Sequence, residues 1–145
     1  MDITKRQDIP ALLLRISLSA GFLSAVASRL GLWGKHSSGW AGFVKYTAET
    51  NSFLPENIAP ALAVLATIAE LGLGILLLAG FRTAKAALSA AVLTLLFAMA
   101  MTVSYGIKEP LDYSVFVFSA GAFFLSRHPH HIWSIDNFLK NQSNG

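Results

Sequence analysis

The chain has 145 residues, 54% of them hydrophobic and only 13% charged, with a mean hydropathy of +0.54. Charge is about half as frequent as in a soluble domain, which excludes a water-soluble globule. The net charge of +3 comes without a basic cluster, so nucleic acid is not an expected partner, and the absence of cysteine excludes disulfides, thiol redox pairs and iron–sulfur clusters.

The first span is expected over residues 10–30, with Asp8 as the N-cap and Pro10 in the first turn. Arg15 interrupts its apolar run and two aspartates dilute the basic flank, which argues against a cleaved signal peptide. Arg15 and Arg29 are fourteen residues apart, almost four full turns, so both project from one side of the helix. Ser17, Gly21, Ser24 and Ser28 line the opposite side, a small-residue stripe suited to a homo-oligomer or a partner subunit.

The connection over residues 32–57 carries Trp33, Trp40, Phe43, Tyr46 and Phe53. Trp40, Phe43 and Val44 with Lys45 and Glu49 predict a short amphipathic helix at headgroup level, either an anchor or a lid.

Residues 58–80 form the central span, apolar throughout except for Glu70. A helix of that length rises about 34 Å, enough to cross a bilayer core of about 30 Å. A carboxylate at its middle costs roughly 2.5–3.5 kcal/mol, so Glu70 needs a partner or a function. Ala59, Ala63, Ala66 and Gly74 mark the face on which a neighbouring helix can come close.

A tight return through Phe81-Arg82-Thr83 leads to a third span over residues 86–104, and a fourth follows over residues 110–126. The tail, residues 127–145, predicts an interfacial helix built on Ile132, Trp133, Ile135, Phe138 and Leu139. His128, His130 and His131 lie in that tail and not inside the bundle, so neither a haem nor a metal site is expected.

Together these elements predict an all-α, integral membrane four-helix bundle, a single domain with an interfacial segment between helices 1 and 2. One side carries Lys5, Arg6, Arg82, Lys85, Arg127 and Lys140 against Arg29, Lys35, Lys45 and Lys108 on the other. That bias favours a multi-pass protein of the cell inner membrane with both termini in the cytoplasm. Arg15 and Glu70 are the expected buried polar pair or ligand-binding site, separated along the bundle by roughly 8 Å if their spans start and end level with each other. Arg29, Glu109 and Asp112 are the expected polar cluster at the outer end.

Three segments, LLLRISLSAGFL, GFVKY and APALAVLATIAELGLGILLLAGFRTAKAAL, resemble the DoxX family of small four-span membrane proteins. The likeness covers residues 11–127, and Arg15 and Glu70 match the family's recurrent charges. The resemblance implies a membrane subunit that binds a quinone while a soluble oxidoreductase partner does the chemistry. The alternatives are a non-enzymatic scaffold or assembly protein, and a small proton-coupled carrier that uses Glu70.

Overall fold

The long segments are apolar almost all round, and within a bilayer a helix satisfies every backbone polar group inside its own segment. The structure, a computed structural model, describes residues 3–128 and 131–143. Its helices are α1 (Ile3–Arg29), α2 (Gly39–Thr50), α3 (Ala59–Ala79), α4 (Thr83–Tyr105), α5 (Lys108–Asp112), α6 (Val115–Arg127) and α7 (Ile135–Ser143). Short 3-10 turns lie at Gly34–His36 and Glu56–Ile58, and there is no strand among the described residues.

Helices α1, α3, α4 and α6 alternate in direction and form the bundle. Asp8–Arg29, Glu56–Ala79 and Thr83–Tyr105 are each long and apolar enough to cross a membrane. The fourth member is shorter than expected. Ser114 takes a left-handed conformation (φ 55°) and splits residues 108–127 into α5 and α6. The 13 residues of α6 rise only about 20 Å.

Small residues bring the helices together in pairs. Along α4, Ala86, Ala87, Ala90, Ala91 and Ala98 are buried, and Ser119 of α6 donates to the carbonyl of Ala91 at 2.8 Å. Between α1 and α3, Ser19 donates to the carbonyl of Gly74 at 2.7 Å. A Cβ on Gly74 would lie 2.8 Å from Leu23, so that crossing requires glycine. Phe22 and Phe118 meet edge to face at 5.2 Å and join the two pairs.

The buried face of α1 runs through Asp8, Ala11, Arg15, Leu18, Phe22, Val26 and Arg29, so both arginines do share one side. The opposite small-residue stripe is mostly open, with Ser17, Gly21 and Ser24 exposed. Asp8 is not an N-cap. Helix α1 already begins at Ile3 and contains Pro10, while the buried Asp8 carboxylate instead meets His128 at 3.3 Å.

A lock closes this end of the bundle, where both termini lie. Gly80 (φ 65°) ends α3 in the left-handed conformation that glycine adopts without steric cost. Its carbonyl accepts the backbone N–H of Asp136 at 3.0 Å. The Asp136 carboxylate accepts the N–H groups of Arg82 and Thr83, each at 2.7 Å, and so caps α4 from another part of the chain. Arg15 donates to the carbonyls of Trp133 at 2.7 Å and Ile132 at 3.3 Å.

Candidate functional site

The packing of α1 against α3 decides which charges meet. Ser19 lies opposite Gly74, and Arg15 reaches the level of Gly80, where its Nη1 would touch an added Cβ at 2.7 Å. Arg15 is therefore about ten residues, roughly 15 Å, along the bundle from Glu70. The expected Arg15–Glu70 pair does not form. The expectation set the start of α1 at residue 10 level with Gly80, whereas the helices are shifted so that Arg15 itself sits there.

Arg29 takes its place. Its Nη1 lies 2.7 Å from Oε2 of Glu70, with both side chains more than nine-tenths buried. The same Nη1 donates to Thr67 Oγ1 at 3.1 Å, one turn before Glu70, and Thr67 passes its own proton to the carbonyl of Ala63. The guanidinium stacks 3.6 Å above the centre of the Phe43 ring, which α2 lays over it. Apart from this contact with Arg29, Oε2 is buried and meets no hydrogen-bond donor among the described residues.

The expected outer cluster of Arg29, Glu109 and Asp112 is not assembled. Arg29 faces inward to Glu70, and Asp112 pairs with Lys108 on α5. Glu109, like Tyr105 and Tyr113, lies near Tyr46. Burial, followed by these neighbouring groups, pushes the Tyr46 phenol above its ordinary range, against the opposing hydrogen bond with Thr50, so it stays a neutral donor.

These side chains line a cavity of about 730 Å³ between α2, α3 and α4. Arg29 and Glu70 stand on one wall, and α2 covers it with Phe43, Tyr46, Thr47 and Thr50. Helix α2 is held in place because Ser104 donates to the carbonyl of Thr50 at 2.7 Å and Tyr46 stacks on Tyr105 at 6.5 Å. The remaining walls are apolar: Leu62, Leu65, Leu93, Leu96 and Phe97. Leu65 and Leu96 are 64% and 57% exposed, so the cavity opens sideways between α3 and α4 at the depth of the apolar spans. A volume of this size, mostly apolar with a few polar groups, has the character of a small-molecule site.

Sequence reasoning placed Glu70 at the centre of its span and offered α2 as an anchor or a lid, but assigned Arg29 to the wrong neighbour and missed Thr67. The signal was available for Thr67: a hydroxyl three residues from a buried carboxylate shares its face. At the tail end, Asp136 was missed entirely. Among the described residues no group of three His, Cys, Asp or Glu could hold a metal ion; Pro129 and His130 lie outside the described residues.

The family model of methylamine utilisation protein MauE matches residues 7–112, most of the chain and all of α2 to α5. No curated protein and no solved structure gives a match. The match overturns the expected DoxX membership. That reading leaned on Gly-Phe-Arg-Thr after an apolar run, and the structure gives those residues a geometric role. Gly80 and Arg82 both adopt left-handed backbone to turn α3 into α4.

Proposed function

This chain belongs to the MauE family, and from that premise we propose that it is a membrane component serving the maturation or electron supply of a redox enzyme. The setting we propose is the process in the family's description, methylamine utilisation. One observation carries the residue-level part of the reading: a cavity of about 730 Å³, open at membrane depth, with the Arg29–Glu70 pair on its wall. Such a site suits a bilayer-soluble molecule with an apolar body and a polar head. A quinone is the redox-active ligand of that class. Without cysteine, the residues present hold no thiol chemistry of their own, so a partner oxidoreductase carries the covalent step.

The bilayer is the first partner. Inner-membrane residence with cytoplasmic termini is part of the proposal, and the basic-residue bias supports it more strongly once Arg29 is seen to face Glu70 and not the loop side.

Purification into lipid nanodiscs, followed by solvent extraction and chromatography, should yield a quinone with the protein. Ala69→Phe, which fills the cavity, should remove it. In a host grown on methylamine whose own family member is deleted, the wild-type chain should restore growth and Ala69→Phe should not. A protein that carries no quinone, with growth indifferent to the filled cavity, would refute the proposal.

A further inference from the structure

We infer that the cavity selects a neutral aromatic ligand bearing hydroxyl groups, the reduced state of a quinone, through a hydrogen bond donated to Glu70. The inference rests on the proposed ligand site and adds which redox form it holds.

On the polar wall, the Glu70 carboxylate is the acceptor with a position open to a ligand. Arg29 Nη1 is already engaged by Thr67 and by its contact with the carboxylate. Glu70 lines the cavity, is 3% exposed, and beyond the Arg29 contact its Oε2 has no hydrogen bond among the described residues. A buried acceptor left in that state costs free energy that a ligand's O–H would recover. A quinone offers only carbonyl oxygens, which would set lone pair against lone pair at this carboxylate.

Charge excludes the other donors. Arg29 and Glu70 together are neutral, so a cationic ligand would meet a guanidinium 2.7 Å from its intended partner in an apolar surrounding. An anion would meet the carboxylate. The ring is matched by Tyr46, Phe97 and Tyr113 in the lining, and an apolar tail can leave between Leu65 and Leu96 into the bilayer.

The test measures binding of decylubiquinone, and of decylubiquinol kept reduced by dithionite, to the full chain in lipid nanodiscs, with empty discs to correct for partition. The quinol should bind about tenfold tighter or more, as a hydrogen bond to a charged acceptor predicts. Glu70→Gln offers both an acceptor and a donor, so it should bind the two forms alike, and its melting curve checks that the fold survives. Ala69→Phe should exclude both forms. Equal affinity for the two forms in the wild type, or a preference that survives Glu70→Gln, overturns the inference while leaving a quinone site. Binding of neither form removes the site itself and the inference with it.

Discussion

Removing Arg29 is the most direct test of how the bundle tolerates its central carboxylate. At 2.7 Å the two unit charges attract by about 6 kcal/mol at an effective dielectric constant of about 20, most of it offset by the loss of water around both groups. Arg29→Met keeps the stem against Phe43 but leaves Glu70 without its cation, and should cost about 3–5 kcal/mol. Thr67 is not stranded, because it still donates to Ala63. Glu70→Leu should cost less, since Arg29 ends α1 and can turn to the headgroups. The double variant should regain most of the loss, because two apolar side chains replace a pair whose burial was itself unfavourable. Reversible unfolding in mixed micelles, titrated with SDS, would measure all four proteins and give the coupling energy. Arg15→Met should combine with Glu70→Leu additively within about 0.5 kcal/mol, as distant sites do. Additive effects of Arg29→Met and Glu70→Leu, or coupling of Glu70 to Arg15 instead, would refute the assigned pair.

Three outcomes concern the lock at the tail end. Gly80→Ala should detach the tail: its Cβ would lie 2.4 Å from that of Ser134, and the left-handed backbone alone costs about 1–2 kcal/mol, so limited proteolysis should cut after Arg127 far faster than in wild type. Asp136→Ala removes the cap of α4 and should lower stability by about 0.5–2 kcal/mol; an unchanged melting temperature would show the cap to be idle. Burial, then the nearby charges of His128 and Arg15, holds the His131 imidazole below its ordinary value near 6.5. A released tail therefore binds a proton that the docked one refuses, and docking weakens as pH falls below about 6.5. Burial opposes the ionised form of Asp136, but the N–H groups of Thr83 and Arg82 outweigh it and hold that carboxyl below the usual range, so its contribution persists to more acidic pH. Amide exchange in α7 should be faster at pH 5.5 than at pH 7.5, and slower exchange at the lower pH would contradict this sign.

The bundle was legible because its signals are local. Apolar runs, a charge at the centre of one of them, and Ala59, Ala63, Ala66 and Gly74 on the face of α3 are read directly along the chain; three of these small residues are buried as expected, while Ala66 is half-buried on the cavity wall. The pairing of charges was not legible, because it depends on how far α1 slides along α3. That shift is set by Ser19 against Gly74, 55 positions apart, and by the clearance of Leu23, contacts that no period reveals. The same limit hid the lock. Asp136 looks like an ordinary first-turn acid of α7, and only the fold shows that its carboxylate also caps a different helix. Ser114, which splits the fourth span, carries no sequence signal of left-handed backbone.

The two arginines of α1, about 21 Å apart on one face, separate the ends of the molecule by function. Among the described residues Arg15 finds no carboxylate in hydrogen-bonding reach, and its Nη1 and Nη2 donate to the carbonyls of Ile132 and Trp133, which ties the tail to α1. Arg29 neutralises Glu70 and leaves a cavity whose opening faces sideways, between α3 and α4. A carrier needs its central acid to be reached in turn from both sides of the membrane. Here the cavity beside the acid is bordered by Leu65 and Leu96 of the apolar spans, and the opposite end is fastened by four elements at once: α1, the α3–α4 turn, α4 and α7. For the proposed role, geometry of that kind suits holding a lipid-soluble molecule better than passing one across.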